Sequence, residues 1–347
     1  ITQEEAYEII KSFLKTLHSY QWYKSDAFIG DTGQVIVLGG KYEDEYGEYY
    51  FYNDLTYMFI RAIDELKLYE PKLVLRISNE TPRDLIELAL ETINNGISNI
   101  LFSNDEIVID KMVEFGYEKG DAANYSVSKY YGPSTVGKGL EQNNMACISF
   151  LKPLNEFFDN ETPQVLDMLD NYGELFNSYK YYLKKEVESV IETLDDVVWN
   201  EDPLLSLFID DCNDNQMDIS KGGAKYNHYG ITTIALENTV NSLYNIKKLV
   251  FDDKKYKLTD LNKMRRNNFK KDKYQGVYNI LNNMKPRFGM DDEEIISIAD
   301  DILLFFEDCL KDYTNGFGGK IKFGLTNSKY IDSEDEISAS FDGRKDG

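Results

Sequence analysis

Cysteine, histidine and arginine are scarce in this sequence: 347 residues hold three cysteines and two histidines, and only 7 of the 38 basic residues are arginine. Cys147, Cys212 and Cys309 are odd in number and far apart, which excludes a disulfide framework and suits a reducing compartment. His18 and His228 share no ligand-like spacing, so no zinc site is expected. No stretch approaches the roughly 18 consecutive apolar residues of a membrane span, and no basic-then-apolar signal peptide stands at the start. Positive charge is the other shortage. A formal net charge of −23 with so few arginines repels phosphate backbones and argues against nucleic acid as a partner. These absences lead to the expectation of a cytoplasmic, metal-free protein with no membrane partner. The chain opens on Ile1 rather than Met, as a piece of something longer would.

What is present is enough apolar sequence, 42%, for a large buried core. Thr2 and Glu5 fit a capping box ahead of an amphipathic helix reaching about Tyr23. Residues 34–38 then read as a strand ended by Gly39-Gly40, and Asn53 as the cap of a helix carrying Leu55, Met58, Phe59, Ala62, Ile63 and Leu66 on one face. Residues 73–77 read as a strand. Thr81-Pro82-Arg83-Asp84 follows as N-cap, first-turn proline and acidic third position of a helix ended by Gly96. Residues 99–102 read as another strand and 105–115 as a helix stopped by Gly116. Strands alternating with helices argue for an α/β architecture.

Beyond Pro163 the balance shifts to helix, with periodic segments at about 164–198, 203–216, 232–249, 257–269 and 291–313. Asp291, Asp292, Glu293 and Glu294 suit the positive end of the last helix dipole, as a solvated helix start would. Gly316, Gly318 and Gly319 lead into a strand at about 320–325. Tyr46, Tyr49, Tyr50 and Tyr52 among Glu43, Asp44, Glu45 and Glu48 read as an exposed edge or turn, or else an interaction patch. Cys147 is expected in the core on a helix at 145–159, Cys309 on the apolar face of the last helix, and Cys212 in a structural setting.

The most distinctive stretch is Ser220-Lys221-Gly222-Gly223-Ala224-Lys225-Tyr226-Asn227-His228-Tyr229-Gly230. Its spacing is neither that of a phosphate-binding P-loop nor that of a dinucleotide loop, so a tight turn with close backbone approach is the better local reading. His228 reads as a hydrogen-bonding residue rather than a general base. Before this stretch comes Pro203-Leu204-Leu205-Ser206-Leu207-Phe208-Ile209-Asp210-Asp211-Cys212. After it comes Asn241-Ser242-Leu243-Tyr244-Asn245-Ile246-Lys247-Lys248-Leu249-Val250-Phe251.

This order resembles the glycyl-radical enzyme family of the pyruvate formate-lyase type, in which "LSLLIDDC", "GGAKYNxxG" and "DSLxAIKKLVF" follow one another. Lys285-Pro286-Arg287-Phe288-Gly289-Met290-Asp291-Asp292 and Asp342-Gly343-Arg344-Lys345 continue the resemblance. Upstream, Asn79-Glu80-Thr81-Pro82 and Phe102-Ser103-Asn104-Asp105-Glu106 are similar to the family's "NTP" and "FNDE" signatures. The matches run in the expected order from about residue 54 to the end. The resemblance implies an α/β fold, part of a ten-stranded barrel with surrounding helices. It makes residues 1–347 one partial domain: a strand–helix part at 1–150 and a mostly helical part at 151–347. It also implies a cysteine loop that forms a thiyl radical and a distant glycine that stores the radical, installed by a separate radical-SAM activase. A small-molecule substrate and a homodimer are the further partners it suggests.

At the chemistry-bearing positions the sequence departs from the family. Anchored on Asn124-Tyr125 and on Pro133, Gly137 and Lys138, the cysteine loop here contains Lys129, Tyr130, Tyr131 and Gly132. Tyr130 stands at the thiyl position, Gly132 at that of the glutamate base, and Asn144 where some dehydratases carry an aspartate. Lys129 and Tyr130 match the adjacent cysteine pair of pyruvate formate-lyase. A phenoxyl radical spreads its spin over the ring and abstracts hydrogen from carbon poorly, and Gly132 has no proton to exchange. The radical-storing glycine loop is not in this sequence. Lys129, Tyr130 and Asn144 are therefore candidates for a substrate pocket rather than for catalysis, and no bound cofactor is expected. Two readings follow: a non-catalytic or strongly diverged relative, or an active lyase, dehydratase or formate acetyltransferase whose catalytic residues lie elsewhere. A small-molecule sensor is a third, with no sequence feature of its own.

Overall fold

A computed structural model describes residues 1–19, 34–127, 132–139, 141–325 and 337–346. The chain forms two compact units, one of Ile1–Glu141 with Glu201–Tyr226 and one of Gln142–Asn200 with Asn227–Gly347.

The first unit is built on a parallel sheet of β1 (Val35–Gly39), β4 (Lys72–Ile77) and β5 (Ile100–Asn104), in the order β1-β4-β5. Val37 lies opposite Val74, and Leu75 opposite Phe102. Helices carry the chain between strands, as parallel pairing requires. They begin and end where local chemistry dictates. Thr2 and Glu5 exchange reciprocal hydrogen bonds at the start of the Gln3–Ser19 helix. Asn53 accepts the Leu55 and Thr56 amides before Asp54–Leu66, and Gly116, at φ 117°, closes Asp105–Phe115. Ile60, Ala62, Ile63, Leu73, Leu75, Leu85 and Ala89 form the buried core of this layer.

Thr81 is a correction to the sequence reading. The helix begins at Arg83 with no side-chain cap; the Thr81 hydroxyl instead accepts the Ser78 amide at 2.7 Å and donates to the Tyr52 hydroxyl at 2.8 Å. The turn after β4 outcompetes the helix end for it. The tyrosine-rich segment forms an antiparallel hairpin of β2 (Lys41–Asp44) and β3 (Gly47–Tyr50), with Tyr46 exposed at its turn.

The second unit holds a second parallel sheet: β8 (Gln142–Ser149), β9 (Tyr229–Ile234) and β10 (Ile321–Leu325), in the order β10-β9-β8. Cys147 therefore lies on a strand opposite Thr232, not on a helix, and residues 232–234 are strand rather than helix. Every residue of β9 is buried. A central parallel strand covered on both faces loses the alternation that marks half-buried strands, so Ile231-Thr232-Thr233-Ile234 carries no period-2 signal. The helix begins only at Leu236, after Ala235 turns at φ 61°.

Helices Leu151–Asn160, Tyr172–Asp195, Leu236–Ile246 and Glu293–Leu310 pack a large core. Leu175, Tyr179, Leu183 and Val187 recur every four residues and are buried, the stripe that makes Tyr172–Asp195 amphipathic. Each such side chain contributes roughly 1.5–3 kcal/mol by leaving water. The expected helix at 164–198 is interrupted between Pro163–Asp167 and Tyr172–Asp195, where Asn171 caps the second piece. Likewise 203–216 divides into Pro203–Ser206 and Asp210–Asn215. Among the described residues no helix is long and apolar enough to cross a membrane.

Candidate functional site

In open parallel sheets ligands are bound beyond the carboxyl ends of the strands. At that edge of the first sheet Arg76 is buried near the end of β4. Its guanidinium donates to Asp105 (Nε–Oδ1 2.8 Å, Nη2–Oδ2 3.0 Å) and to the carbonyls of Lys41, Ala123 and Tyr125, each at 2.9 Å. It also lies 3.9 Å from the centre of the Tyr125 ring. Asp105 further accepts the Lys41 amide at 2.6 Å and the Tyr125 hydroxyl at 2.8 Å. Such saturation is what makes a buried charge pair tolerable. Burial, and next the Asp105 charge, push the Tyr125 phenol above its ordinary range, so it serves as a donor. Gly39-Gly40 has a steric task here: a Cβ on Gly40 would lie 2.6 Å from Arg76 Nε.

Tyr125 belongs to β6 (Tyr125–Val127), which pairs antiparallel with β7 (Pro133–Thr135), Val127 opposite Pro133. That pair brackets residues 128–132. Lys129, Tyr130 and Tyr131 lie outside the described residues; Gly132 is half-buried beside Pro133.

A second cluster gathers beyond β7. The Asp121 carboxylate receives Lys138 at 2.8 Å, Lys225 at 2.7 Å and the Tyr226 hydroxyl at 2.8 Å. Burial works to raise the Asp121 carboxyl, but the hydrogen bonds from Lys138, Lys225 and Tyr226 outweigh it and hold it below its usual range. The Tyr226 ring packs 4.4 Å from that of Tyr117, whose hydroxyl donates to Glu141 at 2.7 Å. Burial and then Glu141 raise the Tyr117 phenol. Lys138 and Lys225, separated in the sequence and each part of a family-like motif, thus meet on one carboxylate. The glycine-rich loop is the tight turn expected, since a Cβ on Gly223 would fall 2.3 Å from the Met217 carbonyl oxygen and 2.9 Å from Cys212 Sγ.

In the second unit the remaining motifs are tied together by asparagine amides. Asn245 donates to the Leu281 and Phe341 carbonyls at 3.0 Å each, Asn241 accepts the Phe288 amide at 2.8 Å, and Asn238 donates to Asp342 at 2.8 Å. His228 is buried and accepts the Lys320 amide on Nδ1 at 3.0 Å. Burial first, then Lys322 and Lys320, lower it to about 4. It is a neutral hydrogen-bonding residue, in line with its sequence reading. Asn144 lies on β8, where its Oδ1 accepts the Thr232 hydroxyl at 3.1 Å.

Of the sequence-derived candidates, Gly132 belongs to the first unit and Asn144 to the second. Cys212 is buried among Ile209, Ile219 and Ala224, while Cys147 and Cys309 pack partly buried against the second unit's core. Sequence reasoning missed Arg76, Asp105, Asp121, Tyr117 and Glu141 as organising residues. The available signal was a charged residue inside an apolar strand run, Leu73-Val74-Leu75-Arg76-Ile77. Among the described residues no group of three or more His, Cys, Asp or Glu converges as metal ligands would.

A family model described as pyruvate formate lyase-like matches residues 1–330. The trans-4-hydroxy-L-proline dehydratase of Clostridioides difficile is 27% identical over 265 residues, covering 72% of this chain and 33% of that protein. A structure on 1,2-propanediol dehydration in Roseburia inulinivorans superposes on all of this chain and 46% of its own, with TM-score 0.89 and 24% identity. The glycerol-bound B12-independent glycerol dehydratase of Clostridium butyricum does so with TM-score 0.86 and 25% identity, over 100% of this chain and 46% of that one. The chain thus spans between a third and a half of the length of these relatives, and its mixed helix-and-sheet architecture is the one they share.

Proposed function

Because the chain belongs to the pyruvate formate lyase-like family, we propose that it is a diverged, non-catalytic relative of the glycyl-radical dehydratases and lyases that holds a small hydroxylated molecule without thiyl chemistry. The observation that carries this is the content of one short span. Between Val127 of β6 and Pro133 of β7 the sequence is Ser128-Lys129-Tyr130-Tyr131-Gly132, with neither sulfur nor carboxylate. Both flanks are strand, paired with each other; Arg76 holds the Tyr125 carbonyl of β6, and Asp121 holds Lys138 in the stretch after β7. This supports the register that puts Tyr130 at the cysteine position.

Hydrogen abstraction by sulfur makes a thiol and a carbon radical, and the departure of a hydroxyl from that radical needs an acid or base beside it. Tyr130 offers a phenol and Gly132 no titratable group. Glu141 is engaged by the Tyr117 hydroxyl. What the span retains is hydrogen-bonding capacity: an ammonium and two phenols suited to a polyol or hydroxylated amino acid. On this reading neither a radical-SAM activase nor a stored glycyl radical is required, and a cytoplasmic location and a homodimer are carried over from the family.

The alternative is an active radical lyase, dehydratase or formate acetyltransferase completed by further polypeptide. The observation favouring it is that the relatives are more than twice as long. One experiment separates the two. The protein, together with whatever polypeptide flanks residues 1–347, is incubated anaerobically with a radical-SAM activase and S-adenosylmethionine, followed by electron paramagnetic resonance, product analysis and calorimetry with 1,2-propanediol, glycerol and trans-4-hydroxy-L-proline. The non-catalytic reading expects binding with no organic radical and no dehydrated product. A radical doublet accompanied by turnover establishes the alternative.

A further inference from the structure

Three segments distant in sequence converge at Asp121. The carboxylate lies on the short helix Lys119–Ala123. Lys138 reaches it from the stretch following β7, and Lys225 and Tyr226 from the glycine-rich loop. Lys225 also contacts Glu118 at 2.8 Å. Backbone bonds join the same partners: the Tyr226 amide donates to the Lys138 carbonyl at 3.0 Å and the Asp210 amide to the Gly137 carbonyl at 2.8 Å. Gly139 and Tyr226 form a β-bridge.

The charges are unequal in what they can do without. Lys225 has a second carboxylate in Glu118, whereas Lys138 forms its ion pair with Asp121. With Asp121 uncharged, two ammonium groups face a neutral side chain, and their mutual repulsion pushes the 136–139 stretch and the glycine-rich loop apart. The backbone bonds from Tyr226 to Lys138 and from Asp210 to Gly137 oppose this separation and so report it, while Tyr226 and Glu118 both bond on the Lys225 side.

We infer that Asp121 is a positioning residue: its charge latches the chain leaving β7 to the glycine-rich loop, and so sets where the polypeptide downstream of Gly132 runs. The relevance to ligand binding rests on the proposed function, but the latch itself does not.

The test is amide hydrogen exchange on the whole chain. Asp121→Asn, which keeps shape and loses charge, is expected to speed exchange of the Tyr226 and Asp210 amides by about tenfold or more, with the β1-β4-β5 ladder unchanged. Adding Lys138→Met removes one of the opposing cations and is expected to recover most of the slow exchange. No acceleration, equal acceleration of the sheet, or a double variant no slower than Asp121→Asn overturns the latch. Should Asp121→Asn fail to fold, Lys138→Met and Lys225→Met carry the test. Each alone should give under about threefold, and the pair no more than the larger single effect, because losing either cation already cuts the link across the carboxylate. Merely multiplicative effects overturn it. Calorimetry with the same three hydroxylated compounds runs in parallel. If the wild type binds none of them the proposed function fails, while the exchange result still decides the latch.

Discussion

Arg76 near the end of β4 and Asp105 just after β5 meet as a fork on a carboxylate, at 2.8 and 3.0 Å, with both side chains buried. Because three backbone carbonyls share the same guanidinium, the pair joins the carboxyl edge of the first sheet to Tyr125 of β6, the strand that leads into residues 128–132.

Removing one partner should therefore be costly. Arg76→Met strands the Asp105 charge and is expected to destabilise the protein by about 3–5 kcal/mol in urea denaturation. Arg76→Lys keeps the charge but loses the planar fork, so an intermediate loss of about 2 kcal/mol is expected. Arg76→Met with Asp105→Leu should cost less than the two single changes summed. A neutral Arg76→Met would refute the role given to this pair.

Two glycines should respond with opposite signs. Gly223→Ala drives a methyl to 2.3 Å from the Met217 carbonyl oxygen, a backbone atom with little freedom to retreat. A loss of about 1–3 kcal/mol is expected. Gly276, in the Gln275–Asn283 helix, has nothing within 4 Å of the same position. Gly276→Ala should stabilise by about 0.5 kcal/mol through the unfolded chain's lost freedom. Thermal unfolding of the two variants measures both.

His228 gives a pH dependence. Its folded value of about 4 lies below the 6.5 of an unrestrained imidazole, so as pH falls the unfolded chain takes up this proton first. The contribution is complete above about pH 6.5, falls progressively towards pH 4, and is spent below it, amounting to roughly 3 kcal/mol at most. Many carboxylates titrate in the lower part of that window, so the measurement is a difference. Denaturation midpoints of wild type and His228→Gln should diverge on the alkaline side and converge towards pH 4. Parallel profiles would count against a buried neutral histidine.

Elements ruled by neighbours in sequence were legible in advance. The Thr2–Glu5 box, the Asn53 cap and the Asp105–Phe115 helix ended by Gly116 each depend on atoms within a few residues. β9 was misread because a strand buried on both faces has the composition of a buried helix and no alternation, and β8 because its apolar run leads straight into the Leu151–Asn160 helix. Thr81 was misread because a hydroxyl at a helix start has two local uses, and Tyr52, 29 residues away, favours the turn. At the candidate site the motifs and their order were visible. Their meeting points were not, since Lys138 and Lys225 acquire a shared purpose only when Asp121 stands between them.

By itself the sequence determined the family resemblance, the α/β class and the absence of sulfur between Tyr125 and Pro133, because identity and order of residues need no coordinates. Only the tertiary structure decided that residues 201–226 join the first unit, that Arg76 holds β6 and that Asp121 holds the stretch after β7. The physical reason is range. Caps and turns are satisfied within a few residues, whereas a buried charge is tolerable only beside partners that folding alone brings within hydrogen-bonding distance.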